Sequence, residues 1–365
     1  MTAPLPPSSK IGIIGGGQLG RMLAMAAARL GYRTAILEPQ PGCPAAQVAN
    51  RQIVAAYDDP AALAELAEAC AVVTYEFENV PVAAADALAA LVPVFPPPQA
   101  LEVAQDRVAE KQFLNGIGVP TAHFSPVDDD GQLADALNRF HGSGVLKTRR
   151  MGYDGKGQRV FRDASGRDLS GTWAEMGGVP LILEALVPFV REISVIAARG
   201  ADGAFHAYDP AENVHRDGIL HSSTVPANIA PATAAAARAA ARDIMEALDY
   251  VGVIGVEFFV IEDGSLLVNE IAPRVHNSGH WTEAACAVSQ FEQHIRAVAD
   301  LPLAAPHRHS DCVMENLIGD DVARAPALLA EPDLVLHLYG KADARPGRKM
   351  GHFTRLTHPT PARGG

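Results

Sequence analysis

A β-branched run from Lys10 ends in glycines at Gly15, passes into a helical pattern through Leu30, and emerges as a second strand from Thr34 to Glu38. Asp59-Pro60 then supplies an N-cap and a first-turn proline for another helix, and Val72 to Phe77 reads as a further strand. Strand and helix alternate in this way to about residue 97, where Pro93, Pro96, Pro97 and Pro98 mark a boundary. This alternation predicts a parallel, doubly wound, Rossmann-like unit. Gly15-Gly16-Gly17-Gln18-Leu19-Gly20 at its first turn fits G-x-G-x-x-G, and Glu38 stands 18 positions after Gly20. Taken alone, that is a dinucleotide fingerprint with its acidic ribose partner. The alternative is a tight turn whose helix N-terminus binds another phosphate or none.

Beyond the prolines the pattern changes to α+β. A helix is expected over about 99–115, and strands around 145–148, 158–161, 181–187 and 191–198. A long helix follows over 232–248, then a hairpin, a helix near 281–299, and weak strands after 307. The expected organisation is a loose tail over 1–9, the Rossmann-like domain over 10–98, a larger body over 99–300 with a glycine-loop lobe at about 120–190, and a small C-terminal domain over 301–365. A net charge of −12 with no basic stripe argues against duplex nucleic acid as partner. No apolar run approaches the ~18 residues of a membrane span. Cys43, Cys70, Cys286 and Cys312 lie far apart, which fits reduced thiols in a cytoplasmic enzyme.

The hairpin carries chemistry. Val253–Ile261 and Ser265–Ile271 read as strands around Glu262-Asp263-Gly264. With Asp263-Gly264 as a two-residue turn, Glu257 faces Glu270 at roughly 4.5–5.5 Å between Cβ atoms, where like charges repel. A cation turns that cost into a site, and carboxylates plus nucleotide phosphates are the usual shell of magnesium. A three-residue turn would instead slip the register and leave the acids on a wet face.

Four further segments are dense in ligand-binding groups. Val145 to Gln158 places Lys147 at a strand end before a loop with Gly152, Gly155, Gly157, Arg149 and Lys156, suited to closing over phosphates but unlike a Walker A loop. Leu183 to Val187, followed by Arg191-Glu192, could offer backbone to a purine edge and acids to ribose hydroxyls. Asn269 to Trp281 crowds Arg274, His276, Asn277, Ser278 and His280 into one loop, a composition for oxyanion binding and proton transfer. Lys341, Arg345, Arg348 and Lys349 form a basic cluster, either a solvated charge run or a phosphate clamp.

In this order, GGGQLGRM, YEFENV, QDRVAEK, KTRRMGYDGKGQ, ENVHRDGIL, NEIAPRVHNSGHWT, SQFE and RPGRKMGH resemble the N5-carboxyaminoimidazole ribonucleotide synthetases, ATP-grasp ligases of de novo purine synthesis. The similarity runs from about Lys10 to His352. It implies a Rossmann-like domain, an ATP-grasp body and a small C-terminal domain. It also implies ATP and magnesium as cofactors, and 5-aminoimidazole ribonucleotide and bicarbonate as substrates. The products would be ADP, phosphate and the N5-carboxylated ribonucleotide, formed through carboxyphosphate by a cytoplasmic homodimer. The first domain would then serve the ribonucleotide rather than NAD.

Residue by residue, the resemblance places Arg107 and Lys147 on the ATP phosphates, with Gly152, Tyr153, Asp154, Gly155, Lys156, Gly157 and Gln158 closing over them. Glu184, Ala185, Leu186 and Val187 would bracket adenine, Glu192 would take the ribose, and His215 would join the nucleotide site. Glu257 and Glu270 would hold magnesium with Asn269, although strict alternation puts Asn269 on the other face unless the strand bulges or ends there. Gln18, Leu19, Glu76, Tyr153, Asp154, Lys156, His276, Lys341, Arg348 and Lys349 would line the ribonucleotide pocket. Arg274 would orient bicarbonate, and Arg274, His276 and Lys147 would be catalytic. Two departures stand out: Met151 occupies a position that is often glycine, and the chain stops at Gly365, where relatives often continue. The rival readings are a formate-using ATP-grasp ligase, an NAD-dependent dehydrogenase and a silent nucleotide sensor.

Overall fold

The architecture comes from a computed structural model in which residues 3–152 and 157–357 are described. The first unit is a parallel sheet of β1 (Lys10–Ile14), β2 (Arg33–Leu37), β3 (Arg51–Ile53) and β4 (Val72–Tyr75), in the order β3-β2-β1-β4. Every residue of β4 is buried, as expected of a parallel strand covered on both faces. Helices α1 (Gln18–Arg29), α2 (Pro60–Ala69) and α3 (Val82–Ala89) complete the unit. Asp59 caps α2, accepting from the Ala61 and Ala62 amides.

The helix expected over 99–115 is two helices, α4 (Pro98–Ala104) and α5 (Arg107–Gly116). Asp106 breaks it by turning extended and accepting from the Val108 and Ala109 amides, so its carboxylate serves as an N-cap. A small antiparallel sheet follows, built from β5 (Phe124–Val127), β6 (Gly144–Thr148), β7 (Gln158–Phe161) and β8 (Leu181–Ala185) in the order β5-β8-β6-β7. Helices α6 (Asp130–Arg139) and α7 (Thr172–Glu175) accompany it, and Leu133 and Leu137 of α6 pack on Leu146 and Leu183.

The largest sheet contains β9 (Arg191–Arg199), β10 (Phe205–Ala207), β11 (Ala211–Arg216), β12 (Ile219–Val225), β13 (Gly252–Val260), β14 (Leu266–Ala272), β15 (Asp311–Ile318), β16 (Leu334–Leu338) and β17 (Lys349–Thr357). Its path is β14-β13-β9-β11-β12-β15-β17-β16, with β10 beside β9. The last three strands therefore extend the central sheet rather than forming a layer of their own. Helix α8 (Pro231–Ala247) buries Ala237, Ala241 and Ile244 against Val195, Ile254 and Val256. The helix expected near 281–299 is split into α9 (Thr282–Ala285) and α10 (Gln290–Val298), because Ser289 caps a fresh start by accepting from the Glu292 amide. Phe291 and Ile295 of α10 share a core with Met22 and Leu23 of α1, which fixes the first unit against the body. None of the described helices is long and apolar enough to cross a membrane.

Candidate active site

Glu257 pairs with Glu270, but not through a two-residue turn. The loop is Glu262-Asp263-Gly264: Ile261 N–H donates to Ser265 O and Gly264 N–H to Ile261 O, both at 2.9 Å, with Gly264 at φ +84°. That left-handed residue is what glycine supplies in three-residue hairpins. Near the turn the partners are Val260 with Leu266 and Phe258 with Val268; past it they are Glu257 with Glu270 and Val256 with Ile271. Asn269 is the extra residue of a β-bulge. The bulge cancels the offset of the longer turn, and Glu257, Asn269 and Glu270 all line one cleft.

Burial, then the charge of Glu270, pushes the Glu257 carboxyl up. Glu270 is itself held down, its burial outweighed by Arg107, whose Nη1 donates to Oε2 at 2.9 Å. Asn269 Oδ1 is buried and has no hydrogen-bond partner among the described residues. An orphaned buried oxygen beside two facing carboxylates calls for a ligand, and an all-oxygen set fits a hard divalent cation such as Mg²⁺.

Cations close one side of this cleft. Lys147 Nζ, from β6, donates to Glu184 Oε2 at 2.9 Å, and Lys111 Nζ lies 3.5 Å from Glu184 Oε1. Glu184 stays below the usual carboxylate range because these two lysines outweigh its burial. Burial, with Arg107 and Lys111 beside it, lowers Lys147 against the pull of Glu184. Arg149 and Arg150 both pair with Asp106, anchoring the start of the glycine loop at the cap of α5. Met151 sits at φ +61° and is exposed, so a bulky side chain occupies a left-handed position. Gly152, Gly157 and Gln158 line the cleft; Tyr153, Asp154, Gly155 and Lys156 lie outside the described residues.

An apolar slot completes the cleft. Val145, Val160, Phe189, Leu220 and Phe259 line it, and Phe189 stacks on Phe259 at 4.7 Å between centroids. Sequence reasoning missed these residues although a signal existed: Val145 lies two residues before Lys147 and Phe259 two after Glu257, on the same strand faces. Glu192 faces the cleft with His215, whose Nδ1 is 3.2 Å from Glu192 Oε2. Burial would lower His215, but Glu192 overrides it and raises the imidazole. Strand β8 ends at Ala185, so Leu186 and Val187 are loop residues; neither they nor Ala185 line the cleft.

On the far side of Glu270, a second recess is lined by Glu78, Arg149, Arg274 and His276. Arg274 Nε donates to Glu78, and this pairing holds Glu78 below its ordinary range against burial. Gln290 fixes His276, accepting from its N–H at 2.9 Å and donating to its carbonyl at 2.7 Å. Burial, reinforced by Arg274, pushes the His276 imidazole down to about 3. His276 Nδ1 lies 2.8 Å from Ser278 Oγ and 3.4 Å from the Ser278 amide, and Nε2 is 3.7 Å from Glu257 Oε1. Lys349 reaches the cleft, whereas Lys341 Nζ donates to the Lys349 carbonyl at 2.8 Å and Arg348 donates to the Asp343 carbonyl at 3.0 Å.

The dinucleotide fingerprint is overturned by Glu76. Its Oε1 accepts from Gly17 N–H and its Oε2 from Gly20 N–H at 2.5 Å, so the chain's own carboxylate takes the place of a pyrophosphate at the start of α1. Glu38 is spent on the Gly16 amide at 3.0 Å and the Tyr57 hydroxyl. Gln18 and Leu19 open α1 beside this plug, and the Leu19 side chain belongs to the core. Neither these two residues nor Glu76 lines the cleft.

Residues 8–105 match the ribonucleotide synthetase preATP-grasp domain, residues 112–291 the ATP-grasp domain, and residues 312–362 the phosphoribosylaminoimidazole carboxylase C-terminal domain. The chain is 65% identical over 352 residues to the N5-carboxyaminoimidazole ribonucleotide synthase of Brucella melitensis, covering 96% of this chain and 97% of that protein. A solved ADP complex of an N5-carboxyaminoimidazole ribonucleotide synthetase superposes with a TM-score of 0.94 at 42% identity, covering 98% of this chain and 94% of that one. The Aspergillus clavatus synthase, solved with ADP and 5-aminoimidazole ribonucleotide, superposes with a TM-score of 0.89 at 34% identity, covering 96% and 94%. The chain belongs to the N5-carboxyaminoimidazole ribonucleotide synthase family of ATP-grasp enzymes.

Proposed function

We propose that this chain carboxylates 5-aminoimidazole ribonucleotide with bicarbonate at the expense of ATP, giving N5-carboxyaminoimidazole ribonucleotide, ADP and phosphate in de novo purine synthesis. The observation that carries this reading is the orphaned Asn269 oxygen beside Glu257 and Glu270, set between Arg107 and Lys147 on one side and Arg274 on the other. The 65% identity to a named synthase supports the same reading.

Adenine enters the slot at Phe189 and Phe259, Glu192 takes ribose hydroxyls, and Arg107 and Lys147 draw in the phosphates. Glu257, Glu270 and Asn269 would hold Mg²⁺, which would supply charge neutralisation for the nucleotide phosphates. Phosphoryl transfer depends mainly on positioning and electrostatics, and here Lys147 gathers the charge that develops on the γ-phosphoryl group. Arg274 orients bicarbonate in the adjoining recess. A bicarbonate oxygen attacks the γ-phosphorus as the bond to ADP breaks, giving carboxyphosphate. The exocyclic amine of the ribonucleotide then attacks the carboxyl carbon, the bond from that carbon to the phosphate oxygen breaks, and the departing phosphate takes up the amine proton. His276, held neutral by burial, presents Nε2 to the cleft and serves as a hydrogen-bonding group rather than a charged one. Lys349 joins the ribonucleotide side, with Lys341 and Arg348 bracing its loop. The working form is a cytoplasmic homodimer, as the family resemblance implies.

The test is ADP release with ATP and Mg²⁺, with ribonucleotide and bicarbonate each added and omitted. ADP formed in step with ribonucleotide consumption, and only with bicarbonate, is the expected result. Dependence on formate would move the chain to a formyl-transferring ligase. Folded protein that binds ATP yet releases no ADP would overturn the proposal.

A further inference from the structure

Among the described residues, strand β14 is an edge of the largest sheet, and its outer side meets no further strand, only an isolated bridge from Val268 to Thr121. Its outer backbone groups are taken up by α5 and the segment after it. Val268 N–H donates to Pro120 O at 2.8 Å. The Asn269 carbonyl accepts from Lys111 Nζ at 3.1 Å, and Ile271 N–H donates to Glu110 Oε1 at 2.7 Å. Arg107 adds its contact to the Glu270 carboxylate. Residues 107, 110 and 111 share one face of α5 by the i, i+3, i+4 rule, and that face grips residues 269–271, the bulge itself.

The choice of residues is costly for a merely structural edge. Lys111 is fully buried and Glu110 is 2% exposed. Fully buried lysines and glutamates are rare unless paired, and a plain edge could be covered by a loop or by apolar packing. The Lys111 ammonium also faces Glu184, the acid that receives Lys147, so one buried charge joins the bulge to the nucleotide side of the cleft.

We infer that Lys111 and Glu110 are positioning residues that hold the Asn269–Ile271 bulge in the one backbone conformation where Asn269 Oδ1 and Glu270 converge with Glu257 on a divalent cation. The inference rests on the reading of those three residues as the metal site. Neither Lys111 nor Glu110 touches the ion; each fixes the backbone that presents its ligands, and supports of this kind typically change metal affinity by about 10- to 100-fold when removed.

The experiment is a Mn²⁺ titration followed by electron paramagnetic resonance in the presence of saturating ADP, on wild type, Lys111→Met, Glu110→Ala, Glu110→Gln and Glu270→Gln. Lys111→Met and Glu110→Ala are expected to weaken Mn²⁺ by about tenfold or more. They should raise the Mg²⁺ concentration for half-maximal turnover in parallel, with the KM for ribonucleotide little changed. Glu110→Gln retains the acceptor for Ile271 N–H and should recover most of the affinity lost in Glu110→Ala. Should Lys111→Met fail to fold, the Glu110 pair decides. Lowered thermal stability with wild-type Mn²⁺ affinity in Lys111→Met or Glu110→Ala, alongside lost affinity in Glu270→Gln, would overturn the positioning role. Wild-type affinity in Glu270→Gln would overturn the metal reading beneath it.

Discussion

Glu257 lies opposite Glu270 because two irregularities cancel: a hairpin loop one residue longer than a tight turn, and a bulge at Asn269 that restores the register. The pairing sets two carboxylates against each other, with only Glu270 balanced by Arg107. Like charges directly opposite destabilise a sheet by a few tenths to about 1 kcal/mol. In EDTA at pH 8, Glu257→Gln should therefore raise the melting temperature slightly. With ADP and Mg²⁺ the proposed role of Glu257 as a metal ligand predicts the reverse order. Differential scanning fluorimetry of both proteins under both conditions checks this, and a variant less stable than wild type in EDTA would count against the repulsion. Glu270→Ala should abolish ADP release while the protein remains folded.

Glu110 gives a pH dependence of defined sign. Burial lifts its carboxyl from 4.5 to about 8 in the folded chain. A folded pKa above the unfolded one means that the folded state binds more protons between these values, so stability is complete below about 4.5 and is lost as pH rises towards 8. The slope contributed by one group is at most about 1.4 kcal/mol per pH unit. Urea unfolding from pH 5 to 9 should show wild type losing stability relative to Glu110→Gln across that window. A constant difference would mean that Glu110 is ionised throughout.

His276 is held neutral far below physiological pH. The pH profile of kcat/KM should accordingly carry no limb from His276 near 6.5, the ordinary histidine value. His276→Gln should lower the profile without changing its shape between pH 5.5 and 8.5. A limb present in wild type and absent in the variant would show that His276 titrates and works as a general acid or base.

Much of the site was legible because strand periodicity is local. The facing acids, Lys147 at its strand end and the parallel first sheet all follow from alternation and turn chemistry. The two-residue turn did not hold, yet the pairing derived from it did, because the bulge at Asn269 compensates. No local pattern announces a bulge; it is set by α5, whose Lys111 and Glu110 meet β14 from about 160 positions away in the sequence. The break at Asp106 was similarly hidden, since its cap is shared with a tertiary partner, Arg149, whereas the break at Ser289 is local, Ser289 accepting from the Glu292 amide three positions on. Strands β10 to β12 escaped because polar residues interrupt their apolar alternation: His206 in β10, Glu212, Asn213 and His215 in β11, and His221, Ser222 and Ser223 in β12.

The glycine fingerprint was the most misleading local signal, and Glu76 explains why. A strand–turn–helix with G-x-G-x-x-G presents backbone amides at the start of α1, and in a dinucleotide-binding protein those amides receive pyrophosphate. Here Glu76 reaches them from just beyond β4, with burial raising its carboxyl and the amides of Gly20 and Gly17 pulling it back down. There is no room for both anions, since a Cβ built on Gly17 already meets Glu76 Oε1 at 2.7 Å. Two outcomes are expected. Glu76→Ala leaves buried donors unsatisfied and should cost about 1–3 kcal/mol of stability, measured by urea unfolding. NADH should show no fluorescence enhancement with wild type that survives saturating ADP, because any dinucleotide binding would occur through adenine in the ATP cleft. Enhancement that persists under ADP would place a nicotinamide cofactor in the first domain and reinstate the fingerprint.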